Sequence, residues 1–112
     1  MSPLALEIIE ELKDDLIYHA WIMQGIKHEY GGDDMSLRLR LIELLKELLS
    51  SGKVEIGETR LGPRRNVEFI AWKGTIEDRI SRAMMAVDQA SGFDKDFAYW
   101  ICLNKNIDRY EQ

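Results

Sequence analysis

The first half of the chain carries apolar residues at the three- and four-residue spacing of amphipathic helices. Ser2 and Pro3 predict the start of a first helix, because serine caps well and proline suits the first helical position. Asp14 and Asp15 offer a cap for a second helix over residues 16–28, or mark a break within one longer helix. A third helix is predicted over residues 35–51, where a broad leucine stripe is typical of burial on two sides.

After Gly52, which stands where a helix usually ends, the pattern changes to short apolar runs separated by turn residues. Residues 53–57 and 67–72 form two such runs and predict a pair of strands. The polar segment 58–66 contains glycine and proline, so we expect it to be a long tip joining the strands as an antiparallel hairpin.

The last third of the chain predicts one more helix and one more strand. Thr75 and Asp78 have the spacing of a capping box, and the apolar residues that follow predict a helix of about 15 residues ending before Gly92. The short aromatic run 97–103 predicts a buried third strand. Most tryptophan and phenylalanine side chains are expected in the core, with Tyr18 and Tyr30 as the more exposed aromatic residues.

Three helices followed by a hairpin is the order of a winged-helix protein, in which residues 35–51 would be the recognition helix. Residues 44–57, followed by Glu68-Phe69-Ile70-Ala71-Trp72, resemble a loose group of small bacterial proteins with a winged-helix-like core. Some small acidic proteins of that kind are immunity proteins that neutralise a toxin. The resemblance implies an α+β, winged-helix-like fold in one domain over residues 1–112, with a hairpin wing, a further helix and a C-terminal strand. The shared motifs are structural, so no functional residue is transferred.

Composition and charge narrow the class of protein. The chain has 112 residues, of which 46% are hydrophobic and 31% charged, as expected for one globular domain. A single cysteine, Cys102, excludes an internal disulfide and a cysteine-rich zinc module, and favours a reducing compartment. With no apolar run near 20 residues, we expect a cytoplasmic protein that does not span a membrane.

Residues that could carry catalysis have simpler structural explanations. His19 and His28 fall on roughly opposite faces of one predicted helix, so they cannot share a metal ion. The paired aspartates lie at predicted helix starts, where capping explains them. No glycine-rich phosphate loop is present, and Cys102 lies in an apolar run. We therefore expect a protein that is not an enzyme, with no catalytic residue, cofactor or metal.

The uneven charge supports two binding hypotheses. The net charge is −6 over residues 1–34, +3 over 35–73 and −2 over 74–112. The first hypothesis is a protein-interaction module, in its specific form an immunity protein that binds a basic toxin by electrostatic attraction. Its expected partner-binding residues are the carboxylates Glu7, Glu10, Glu11, Asp14, Asp15, Asp33 and Asp34. These carboxylates would equally serve to solvate a helix face.

The alternative is a nucleic-acid-binding regulator that uses a basic wing made by Arg60, Arg64 and Arg65. Two glutamates, Glu43 and Glu47, near the centre of the predicted recognition face make nucleic acid the less favoured partner. A charged, solvated hairpin tip would also explain the three arginines. A third possibility is a homodimer formed through the edge of the strand 67–72 or through uncovered leucines of the third helix.

Overall fold

The computed structural model describes residues 1–110 and arranges them as an α+β protein with a four-stranded antiparallel sheet. The predicted domain, residues 1–112, includes two residues outside this range. The elements within residues 1–110 are α1 Pro3–Leu12, β1 Ile17–Tyr18, α2 His19–Tyr30, α3 Asp34–Ser50, β2 Val54–Leu61, β3 Val67–Ala71, α4 Ile76–Gln89, α5 Phe93–Asp96, β4 Trp100–Leu103 and a 3₁₀ helix Asn104–Arg109.

Local capping signals fix the starts of three helices. The Ser2 hydroxyl accepts a hydrogen bond from the Ala5 backbone amide at 3.2 Å, and Pro3 occupies the first position of α1. The Asp33 carboxylate caps α3, and Thr75 with Asp78 forms the complete capping box of α4. Each of these interactions satisfies backbone amides that have no partner inside their own helix. The predicted starts of α1 and α4 are confirmed, and α3 begins one residue earlier than predicted.

The predicted start of the second helix is wrong. Leu16 is not helical, and Ile17 and Tyr18 form β1, so α2 begins at His19. Strand β1 pairs with β4 and buries the Ile17 side chain, and this tertiary pairing overrides the local helical pattern. Asp15 accepts a hydrogen bond from the backbone amide of Leu16 at 2.7 Å, so it stabilises a turn and does not cap α2.

The hairpin is tighter than predicted, because β2 continues through Leu61 into the segment interpreted as a long tip. Five residue pairs join β2 to β3, ending with Leu61 opposite Val67. The backbone amide of Gly62 donates to the carbonyl of Asn66 at 2.8 Å and closes the turn. Arg60 therefore lies in a strand and not at the tip, since the alternation of residues 58–61 is compatible with a paired strand.

Strand β4 confirms the predicted C-terminal strand, although it is shorter, and it lies inside the sheet, in the order β1-β4-β2-β3. Its residues pair with β1 on one side and with β2 on the other. Residues 97–99, predicted to belong to the strand, instead connect it to the one-turn helix α5. The larger core lies between the helices and one sheet face, and a smaller cluster around Leu16, Phe69 and Cys102 covers the other face.

Candidate functional site

An acidic surface runs along α1 and into the turn after it. Every carboxylate of this acidic surface is exposed: Glu7, Glu10, Glu11, Asp14 and Asp15. Glu10 pairs with Lys13 at 2.8 Å. Among residues 1–110, no lysine or arginine nitrogen lies within 4.0 Å of the other four carboxylates. The surface therefore presents uncompensated negative charge to solvent.

The two remaining predicted carboxylates lie elsewhere. Asp33 and Asp34 stand at the start of α3, and the 12-residue helix α2 lies between them and Asp15 in the chain. A helix of that length spans about 18 Å. Hydrogen bonds from Ser36 hold the pKa of Asp33 below its ordinary value, as expected for a helix cap. The seven predicted residues thus form two separate groups.

An exposed cluster of four aromatic rings lies at the β1 edge of the sheet. The aromatic cluster consists of Tyr18, Phe93, Phe97 and Trp100. Phe97 is central, with its ring centroid 4.8 Å from those of Tyr18 and Phe93 and 5.6 Å from that of Trp100. Phe93 is 76% exposed, and the other three are only partly buried. Of the two tyrosines expected to be more exposed, Tyr30 is exposed and Tyr18 is partly buried.

Charged residues lie next to the aromatic cluster in the sequence. Asp94, Lys95 and Asp96 are exposed in α5, between the two phenylalanines of the cluster, and carry a net charge of −1. Asp15 precedes Tyr18 by three residues, about 10 Å of extended chain. Sequence reasoning placed Phe97 and Trp100 in the core and did not single out Phe93. The available signal was that Phe93 stands between Gly92 and a run of charged residues, where a core position is not expected.

The basic residues predicted to contact nucleic acid are partly neutralised. The Nε atom of Arg60 donates to the Glu68 carboxylate at 2.7 Å, and the Glu68 side chain is only 9% exposed. Arg64 and Arg65 are exposed in the turn, and Arg65 adopts a φ of 60°, in the left-handed region. Only two of the three arginines are therefore presented at the hairpin tip.

Helix α3, the predicted recognition helix, is engaged within the chain. Its leucine stripe is buried as predicted: Leu37, Leu41, Leu44, Leu45, Leu48 and Leu49. Arg38 makes two hydrogen bonds, of 2.8 and 2.9 Å, to the Asp88 carboxylate on α4. The Arg40 guanidinium lies over the Tyr30 ring, and Glu47 accepts a hydrogen bond from the backbone amide of Ser2. Both arginines of the helix are therefore engaged in contacts within the chain, which reduces their availability for phosphate groups.

A groove of about 740 Å³ opens between α2, α3, the end of α4 and α5. His19 lies in its wall, and the His19 Nδ1 atom is 3.1 Å from the hydroxyl of the fully buried Tyr99. Burial lowers the pKa of His19 to about 4, with a further decrease caused by the positive charge of Lys95. The imidazole is therefore neutral at pH 7.

The remaining reactive side chain, Cys102, lies in the smaller core cluster, as the sequence predicted. Burial raises the pKa of its thiol to about 11, so it stays protonated at neutral pH and is a poor nucleophile. Within the described residues, no three histidine, cysteine or carboxylate side chains converge to hold a metal ion. In the same part of the chain, no helix combines the length and apolarity needed to cross a bilayer.

Comparison of the chain with protein-family models, curated proteins and solved structures finds no match. The resemblance to small bacterial proteins therefore stays a prediction. Three surfaces stand out by their geometry: the acidic surface, the aromatic cluster and the groove. Of these, the aromatic cluster is the hardest to explain by folding alone, because the Phe93 ring at its end is largely exposed to water.

Proposed function

We propose that this protein is a non-enzymatic interaction module that binds a basic protein partner through the aromatic cluster. The observation that carries the proposal is the chain of four contacting rings that ends in Phe93, 76% exposed. Aromatic side chains are enriched among residues that dominate binding energy at protein interfaces. Burying one phenylalanine contributes about 1.5–3 kcal/mol, which is enough to anchor a specific contact.

Charge supports a basic partner. Asp94 and Asp96 outnumber Lys95 beside the cluster, and the exposed carboxylates of α1 add to the negative charge that the protein presents to solvent. Exposed carboxylates contribute little affinity by themselves, but they accelerate the association of an oppositely charged protein. In its specific form the proposal is an immunity protein that neutralises a basic toxin. The three helices followed by an antiparallel hairpin support a winged-helix-like core for this module.

The first experiment identifies the partner. Tagged protein is crosslinked in its native host, and the captured proteins are identified by mass spectrometry. The variant F93S removes the outermost ring, while M85S removes another exposed apolar side chain, 57% exposed, from α4 and serves as the control. We expect a basic protein that M85S captures and F93S does not. Equal capture by both variants would show that the aromatic cluster is not the binding surface.

The second experiment separates the anchor from the charge. With the purified partner, F93S should weaken binding at least about tenfold, mainly through faster dissociation. E7Q/E11Q should slow association at low salt more than E43Q/E77Q, which removes the same charge from α3 and α4.

Toxicity of the partner in cells that lack this chain tests the immunity role. If the partner is not toxic, the immunity role is excluded, whereas the proposed binding of a basic protein is not.

Nucleic-acid binding is the second candidate, favoured by the exposure of Arg64 and Arg65 at the hairpin tip. Phosphate contacts are strong at low ionic strength, so a gel-shift assay with genomic fragments at about 50 mM salt is a sensitive test. Binding that R64Q/R65Q abolishes would support this candidate. The absence of any shift would exclude it.

A homodimer also stays a prediction. Strand β3 is an edge of the sheet, and Leu39 on α3 is 58% exposed, so both features named for self-association are accessible. An exposed edge strand can pair with a second copy through its free backbone groups. Sedimentation equilibrium over a range of protein concentrations measures the mass directly, and a constant monomer mass would exclude a dimer.

A further inference from the structure

The groove between α2, α3 and α5 has the size of a small-molecule site. Its volume of about 740 Å³ lies within the range of pockets that enclose organic ligands. Met23, Leu41 and Val87 contribute apolar lining, and His19, Lys27 and Lys95 are among the polar residues that line the same groove. The aromatic cluster does not line this groove, so its use would be additional to the proposed protein interaction.

The His19 side chain presents a fixed hydrogen-bond donor to the groove. The buried Tyr99 hydroxyl has one hydrogen-bond partner among residues 1–110, the Nδ1 atom of His19. If Nδ1 carried the proton, the buried hydroxyl hydrogen would have no acceptor, so the hydrogen-bond network assigns Nδ1 as the acceptor. The ring proton then lies on Nε2. This atom has no partner in the described chain and is not fully buried, so it faces the open groove.

Lysine side chains add positive charge beside this donor. Lys95 and Lys27 both line the groove and both act on the His19 imidazole, Lys95 more strongly. Neither lysine forms an ion pair within residues 1–110, whereas Arg38 on the same rim is held by Asp88. Asp96, next to Lys95, also acts on the imidazole and offsets part of this positive charge, and Asp34 lines the groove at the start of α3.

We propose that the groove binds a small organic carboxylate with an apolar body. The carboxylate accepts hydrogen bonds from His19 Nε2 and Lys95 Nζ, and the apolar body lies against Met23, Leu41 and Val87. A neutral imidazole donor beside an unpaired ammonium group is suited to a carboxylate, because both groups donate and the site is partly shielded from water. The apolar wall supplies affinity that increases with the length of the ligand's chain.

The test is a titration of the ¹⁵N-labelled protein with octanoate, acetate and octanol, followed by ¹H–¹⁵N NMR spectra. We expect octanoate to shift backbone signals of groove residues and the His19 ring signals. Acetate, which lacks the apolar body, and octanol, which lacks the carboxylate, should each bind at least about tenfold more weakly. K95Q should weaken octanoate binding about tenfold, while K105Q, which removes an exposed lysine outside the groove, should leave it unchanged.

Several results would overturn the proposal. Equal binding of octanol and octanoate would show that the positive end plays no part, and equal binding of acetate would show that the apolar wall plays none. Shifts confined to the aromatic cluster, or equal effects of K95Q and K105Q, would place the ligand elsewhere. The absence of shifts up to the solubility limit of octanoate would exclude the site. None of these outcomes depends on capture of a protein partner by Phe93.

Discussion

Lowering the pH from 7 to 5 tests whether His19 is buried and neutral in the folded protein. Burial lowers its pKa to about 4, below the ordinary value of 6.5, so the folded chain keeps the imidazole neutral over this range while the unfolded chain protonates it. The unfolded state therefore binds more protons, and the free energy of unfolding decreases as the pH falls. Lys95, Lys27 and Asp96 are the charged groups that act on the ring, and only Asp96 opposes the decrease in its pKa.

The size of this effect follows from the two pKa values. Between pH 7 and pH 5, linkage between protonation and folding gives a loss of about 2 kcal/mol from His19 alone. The loss becomes complete below the folded-state pKa of about 4. H19Q removes the titration but retains an amide that can accept a hydrogen bond from the Tyr99 hydroxyl, so the variant should fold.

The assay is urea denaturation at pH 7 and pH 5, monitored by tryptophan fluorescence. The natural sequence should lose about 2 kcal/mol more than H19Q between the two pH values. H28Q, which replaces the exposed histidine of α2, controls for the loss of a histidine and should behave like the natural sequence. An equal loss for the natural sequence and H19Q would refute the buried, neutral state of His19.

Four further predictions concern the backbone and the core. G57A should destabilise the protein by about 3 kcal/mol in urea denaturation, because a Cβ atom there would lie 2.0 Å from a carbonyl oxygen of β3. G25A, within α2 and with 3.4 Å to its nearest neighbour, should be neutral or stabilising by up to about 1 kcal/mol. R65G should raise the free energy of unfolding by about 1 kcal/mol by relieving the left-handed backbone at φ 60°. Cys102 should react with a thiol reagent only as fast as the chain unfolds, and rapid labelling of the folded protein would contradict its burial.

The helices were the most predictable part of the fold because their signals are local. Ser2 and Thr75 cap α1 and α4 from positions that the sequence alone identifies. Gly52 follows α3 with a φ of 75°, as expected for a residue at the end of a helix. These features depend on neighbours within a few residues, so a pattern along the chain contains the required information.

The strands were less predictable because their bounds depend on distant partners. Ile17 and Tyr18 leave the helical pattern only because β4, more than 80 residues later, is available to pair with them. Similarly, β2 extends to Leu61 because β3 provides partners along its length. Local propensity cannot determine which of two compatible conformations a remote strand will select.

The candidate surfaces also differ in whether local sequence or the assembled fold determines them. Exposure of the charged residues on α1 follows from helix periodicity and was predicted. The aromatic cluster was missed because a run containing Phe97 and Trp100 is typical of a core, and only the assembled fold shows that no element of residues 1–110 covers Phe93. The groove was missed for a similar reason, since His19 and Lys95 are brought together by tertiary structure.

The interior position of β4 has a consequence for synthesis on the ribosome. Residues 100–103 are translated near the end of the described chain, yet they join β1 to the β2–β3 hairpin. Until they emerge from the exit tunnel, β1 has no strand to pair with and β2 has only β3, and the apolar faces of the hairpin remain accessible to chaperones. Helices can form early on the growing chain, but the sheet is completed only afterwards, in a single late step that joins segments far apart in sequence.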